Sequence, residues 1–181
     1  PTGQQHRQYY DAFELSELIN VPFVMMVGTG DHLFPLGVER DWVPRVEHDE
    51  GTLDIMPNTP HTSTTKYHLS NFRAVIQRVL DGRSTPHAIT DYAVKGNQVT
   101  VTAKVEGTET RRSVKIQSAS DGDTDLRDAV WSGKEMTLKN GVYVATLTKP
   151  TNKYLAFYVE VEDVKGGISS YTTSLSTRID K

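Results

Sequence analysis

The sequence predicts an α/β half followed by an all-β half, and three observations carry that division. Up to about residue 80, apolar residues recur at helical spacings or in short continuous runs. Farther on, strict apolar–polar alternation takes over. Between the two lies Arg83-Ser-Thr-Pro-His87, a polar stretch with the composition of a connector. The expected domains are therefore residues 1–82 and 88–181, joined by a linker at 83–87.

In the first half, Tyr9 to Asn20 places Phe13, Leu15, Leu18 and Ile19 at spacings that suit a short amphipathic helix. Pro22 blocks its continuation. Phe23 to Val27 is a continuous apolar run, which suits a central parallel strand covered on both faces. Gly28-Thr-Gly30 then breaks the run into a loop. A short helix interrupted at Pro44 is expected within Leu36 to Val46, and a second strand over Leu53 to Met56. Tyr67 to Leu80 aligns Leu69, Phe72, Val75, Ile76, Val79 and Leu80 on one helical stripe. Ser63 or Thr64 is placed to cap that helix, and Gly82 lies just past its end.

In the second half, Val99, Val101, Ala103 and Val105 alternate with polar residues. So do Val114 with Ile116, Val142 with Val144, the Leu155–Val161 set, and Tyr171 to Ile179. Lys95-Gly-Asn97, Asn140-Gly141 and Lys165-Gly-Gly167 punctuate them as turns. About seven short strands in this span predict an immunoglobulin-like β-sandwich. With no cysteine in the chain, apolar packing must close it.

Composition bounds the function. The 181 residues are 36% hydrophobic and 24% charged, as in a soluble globular protein. No apolar run approaches the ~18 residues of a spanning helix. A net charge of −3 argues against a nucleic-acid partner. The absence of cysteine excludes disulfides and thiolate metal ligands. The chain opens on Pro1 without a signal-peptide pattern, so it is read as beginning inside a larger protein.

The candidate chemistry sits at two strand ends. Asp31 follows the first strand and His61 follows the second, in Asp54-Ile-Met-Pro-Asn-Thr-Pro-His61. Strand to acid, helix, strand to histidine is how an α/β-hydrolase completes a triad in the order Ser…Asp…His. Asp31 would orient the imidazole, and His61 would accept the nucleophile's proton. The plain alternative is a turn aspartate and a surface histidine.

No Gly-x-Ser-x-Gly occurs. Gly82-Arg-Ser84 and Gly167-Ile-Ser169 lack the strand and helix that a nucleophile elbow needs, so the chain alone is expected to be inert. Asp121-Gly-Asp-Thr-Asp125 starts like a calcium loop, yet Leu126 and Ser132 stand where Gly and Glu belong, and a solvated acidic loop is the reading taken. His32, His48 and Asp49 near the pair lack zinc-site spacing. No metal or cofactor is assigned. Trp42 and Trp131 are read as packing residues, and Arg111-Arg112 with Lys115 as an exposed basic strand face.

Val27-Gly-Thr-Gly-Asp31-His-Leu-Phe34 and Met56-Pro-Asn-Thr-Pro-His61 resemble the late motifs of the PhoPQ-activated pathogenicity-related proteins. Thr124-Asp-Leu-Arg-Asp128 with Trp131, Ala156-Phe-Tyr-Val-Glu160 and Tyr171-Thr-Thr173 resemble later parts of that family. Leu126 departs from an expected Phe, and His32 from an expected acid. The resemblance implies a secreted or periplasmic protein with an α/β-hydrolase domain and a C-terminal β domain. It places Asp31 and His61 at the acid and base positions.

The leading expectation is thus the C-terminal part of an α/β-hydrolase fold followed by the sandwich, with the N-terminal remainder of the same protein supplying the serine. The second is a non-catalytic secreted signalling or adhesion protein that binds a protein or cell-surface partner through the same scaffold. The third is a structural fragment whose open apolar edge invites pairing.

Overall fold

The computed structural model describes residues 15–46, 52–61, 66–107, 112–165 and 168–180. Two five-residue strands, β1 (Val24–Gly28) and β2 (Thr52–Met56), pair in parallel from Val24↔Thr52 to Gly28↔Met56. Between them run the short helix α1 (Glu39–Trp42) and one 3₁₀ turn, Val43–Arg45, where Pro44 lies. The 15-residue helix α2 (Lys66–Leu80) follows β2.

Nine further strands build a β-sandwich. One sheet has the order β3 (His87–Lys95), β4 (Gln98–Glu106), β8 (Val142–Thr148), β7 (Thr137–Lys139). The other has the order β10 (Ile168–Thr173), β9 (Tyr154–Lys165), β5 (Arg112–Asp121), β6 (Ser132–Glu135), with β11 (Thr177–Ile179) also on β9. Asn140 and Gly141 both take positive φ, 51° and 82°, as a two-residue hairpin turn between β7 and β8 requires.

The expectation of an α/β-hydrolase end leading into an immunoglobulin-like domain is corrected by this architecture. The described residues are mostly strand, and they show no α/β-hydrolase pattern. Among them β1 pairs with β2 alone, so Phe23–Val27 does not supply a central strand. Val24, Met25 and Met26 are half-buried, while every residue of β2 is buried. Among the described residues, it is the sandwich that packs on the core face of the small sheet. Of the helix expected over Tyr9–Asn20, residues 15–20 are described and hold a 3₁₀ turn at Ser16–Leu18; its earlier part lies outside the described residues, as do Ser63 and Thr64.

β9 is the middle of the molecule because both of its faces are buried. Leu155, Phe157, Val159 and Val161 point into the sandwich against Val99, Val101 and Ile116. Ala156 and Tyr158 point the other way, joining Ala119 and Trp131 against Val27, Leu53 and Ile55. The stack is therefore three layers deep, with the β1–β2 sheet on the outer face of the β5–β9 sheet. Each buried aliphatic side chain in such a contact contributes roughly 1.5–3 kcal/mol.

α2 docks through its polar face. Asn71, Ala74, Val75 and Arg78 are buried, a spacing of i, i+3, i+4 and i+7. Asn71 donates through Nδ2 to the Tyr171 carbonyl (3.2 Å) and accepts from the Tyr171 N–H (2.7 Å). Arg78 bonds Asp163 (3.1 Å) and Ser170. Leu69, Phe72, Ile76, Val79 and Leu80, expected to lie with Val75 toward the core, are exposed. No described helix is long and apolar enough to cross a membrane.

Between the layers, Asp54 is fully buried and accepts one bond from Asn71 Nδ2 (2.6 Å), while its Oδ1 has no partner among the described residues. Burial, aided by the nearby Glu160 carboxylate and opposed by the Asn71 bond, pushes the Asp54 carboxyl up to about 7. The folded state thus holds a proton that the unfolded chain releases near pH 4, so stability falls as pH rises from there through about 7. Asp54→Asn is expected to flatten this dependence, leaving the variant more stable than wild type at pH 8 by an amount on the order of 3 kcal/mol. Denaturant melts at pH 4.5 and 8 check it, and parallel pH profiles would refute it.

Candidate active site

Parallel pairing sends both strands out at the same end, so the loops after Gly28 and Met56 emerge side by side. The Thr29 N–H donates to the Met56 carbonyl (3.0 Å), and the Gly30 N–H to the Thr59 carbonyl (3.0 Å). Gly28 is required by this closeness: a Cβ there would sit 2.2 Å from the Thr59 oxygen, inside any tolerated contact.

The two loops bring together the two residues singled out in the sequence. His61 Nδ1 lies 2.8 Å from Asp31 Oδ2. Asp31 is buried and its other oxygen accepts the backbone N–H groups of Leu33 (2.8 Å) and Phe34 (2.9 Å). Three hydrogen bonds therefore fix the carboxylate. Burial alone would push it up, but the Phe34 amide, His61 and the Leu33 amide together hold the Asp31 carboxyl below its ordinary value. The imidazole stacks on the Phe34 ring, centroids 5.6 Å apart, and its side chain is 39% exposed. With Nδ1 committed to Asp31, Nε2 is the nitrogen free to take a proton.

Both residues line a cavity of about 450 Å³, together with Met26, Phe34, Trp42 and Met56. No hydroxyl of a described residue bonds His61. Ser169 instead donates to Glu162 (2.8 Å).

Asn58 was missed in the sequence. Its backbone takes φ 54°, its N–H donates to Thr29 Oγ1 (2.8 Å), and its side chain grips Trp131 from both sides. Nδ2 donates to the Trp131 carbonyl (2.9 Å), and Oδ1 accepts the Trp131 N–H (2.8 Å). One residue thus ties the His61 loop to the Asp31 loop through its backbone N–H and to the sandwich through its side chain. The signal was present, since Asn following Pro in a turn is the residue most tolerant of a left-handed backbone after glycine.

The other candidates have local roles. In the acidic run, Asp123 accepts the Asp125 N–H (2.8 Å), and Asp125 accepts the Arg127 N–H (3.2 Å) and Nε (2.7 Å). Trp131 is buried against Tyr158, ring centroids 5.3 Å apart. His32 is exposed, and His48, Asp49 and Arg111 lie outside the described residues.

Fold and site together define a β-sandwich protein that carries a small parallel sheet with an aspartate–histidine pair at its loop end. The chain belongs to the PhoPQ-activated pathogenicity-related protein family, whose model matches residues 1–128. The match includes the Asp31 and His61 segments and Thr124–Asp128; the resemblances at Ala156–Glu160 and Tyr171–Thr173 lie beyond it. No curated protein matches the chain. Among solved structures, a carbohydrate-binding module of family 56, a β-1,3-glucan binding domain, is 15% identical, with TM-score 0.34, covering 50% of this chain and 98% of its own. A putative carbohydrate binding protein from Bacteroides uniformis is 13% identical, with TM-score 0.38, over 53% of this chain and 57% of its own. The curli protein CsgC of E. coli is 17% identical, with TM-score 0.29, over 49% and 97%.

The clamp sets a test. Asn58→Ala removes two hydrogen bonds to the sandwich and leaves a Cβ residue in a left-handed backbone, for an expected loss of ~2–4 kcal/mol. Asn58→Gly removes the same bonds and relieves the backbone, so it should fall between wild type and the alanine variant in urea melts. Unchanged melts in both would show that the clamp does not hold the loops.

Proposed function

We propose that Asp31 and His61 are the acid and the general base of a Ser-Asp-His triad in a secreted, serine-hydrolase-like protein, with the nucleophilic serine supplied by the N-terminal remainder of the same protein. The observation that carries this reading is the 2.8 Å contact between His61 Nδ1 and a carboxylate already fixed by two backbone N–H groups. That is the geometry which sets the imidazole tautomer and leaves Nε2 to abstract the serine proton and return it to the leaving group. The reaction class is acyl transfer to water. The exposed apolar stripe of α2, Leu69, Phe72, Ile76 and Val79, supports an additional segment packed against this side.

The strand-rich architecture, without an α/β-hydrolase pattern among the described residues, favours a second reading, a non-catalytic secreted signalling or adhesion protein that retains the pair as a structural contact.

A fluorophosphonate probe separates the two. On the parent protein, labelling of one serine should fall roughly 10³-fold or more in His61→Ala. Equal labelling in both proteins would remove His61 from catalysis, and absence of labelled serine in the wild type would favour the binding protein.

A further inference from the structure

The segment from Gly28 to Arg40 is a wall between two cavities. Gly28, Asp31, Phe34 and Val38 face the apolar one beside His61. Thr29, Leu36, Gly37 and Arg40 face a second cavity of about 420 Å³ whose far side is built by the sandwich. Three arginines from three separate elements line this second cavity: Arg40 from α1, Arg127 from the loop after β5, and Arg178 from β11.

Like charges gathered in a concavity repel one another, and Asp125 is the one carboxylate among the lining residues. Arg127 engages it through Nε (2.7 Å) and Nη2, which leaves Nη1 outside that pair. Arg178 lies over the Tyr154 ring, 5.6 Å from its centroid, and its contact to Asp180 (3.4 Å) is exposed on both sides. Such a surface pair neutralises little. Arg40 forms no ion pair with a described residue. Glu39 does not line the cavity. It is buried behind the wall, where it accepts from the Gly37 N–H (2.6 Å) and from the Ser176 backbone and hydroxyl. Those bonds fix α1 to the start of β11, and so hold two elements that each bring an arginine to the cavity, Arg40 and Arg178.

We propose that this cavity is a binding site for an anionic oxygen ligand, a carboxylate or a phosphate group, held by Arg40, Arg127 and Arg178. Planar guanidinium forks match the paired oxygens of either group. The Thr124 and Thr177 hydroxyls are further donors on the lining. The site stands apart from the Asp31–His61 pair and does not depend on a catalytic role for it.

The test uses the full chain titrated with inorganic phosphate and, separately, with succinate, at ionic strength held constant with sodium chloride and followed by arginine side-chain NMR. Saturable binding of at least one anion is expected. The double variant Arg40→Gln/Arg178→Gln should weaken it by ~10-fold or more, whereas Arg73→Gln on the exposed face of α2 should leave it unchanged. Phosphate alone saturating assigns a phosphate-bearing ligand, and succinate alone a carboxylate. Retained backbone spectra in the double variant show that the fold is intact. If that variant does not fold, Arg40→Gln alone, at an exposed position, is expected to weaken binding by itself. No saturation with either anion up to about 50 mM, or equal weakening in Arg73→Gln, would overturn the proposal.

Discussion

A two-stranded sheet has too little area to stand in water by itself, and here its existence rests on the outer face of β9. Ala156 and Tyr158 give that face an apolar centre, around which the contacts are polar and directional. Asn71 holds the β10 backbone, Arg78 reaches Asp163, Thr173 Oγ1 both accepts from the Ile55 N–H (3.1 Å) and donates to the Leu53 carbonyl (3.3 Å), and Asn58 grips Trp131. Apolar burial supplies attraction without register. The hydrogen bonds supply register, and register decides where the loops after β1 and β2 come to lie.

From that placement the rest follows. The two loops cross at Gly28 and Thr59 with no room for a side chain, so Asp31 and His61 are brought within bonding distance by backbone geometry. The segment that presents Asp31 to one cavity continues into α1, which presents Arg40 to the other. A buried carboxylate, Glu39, anchors it to Ser176. Buried charged groups are costly unless their donors are in place, which makes each of these anchors intolerant of change.

What could be read from the sequence had a short-range signature. Strand periods, the Asn140-Gly141 turn and the meeting of Asp31 with His61 at two strand ends all follow from residues close in the chain or from parallel pairing. The seam did not show. Asn71 and Tyr171 lie 100 residues apart, and Asn58 and Trp131 lie 73 apart, so no periodicity links them. Helix α2 misled for the same reason. Its apolar stripe suggested the buried face, but Asn71 and Arg78 find partners in β9 and β10 that reverse the choice. β9 hid its second role because alternation reports one apolar face, whereas Ala156, Tyr158 and Glu160 are buried as well.

The polar character of the seam has a calorimetric consequence. Heat capacity rises when apolar surface meets water and falls when polar surface does. Parting the small sheet from the sandwich exposes the Asn71 amide, the Asp54 carboxyl and the Arg78 guanidinium along with its apolar cluster, so the polar groups offset part of the increase. Opening the Val–Ile–Phe interior between the two larger sheets carries no such offset from buried side chains. The molecule contains two cores of different composition, and the aspartate–histidine pair is mounted on the more polar of the two, whose separation changes heat capacity less per unit area.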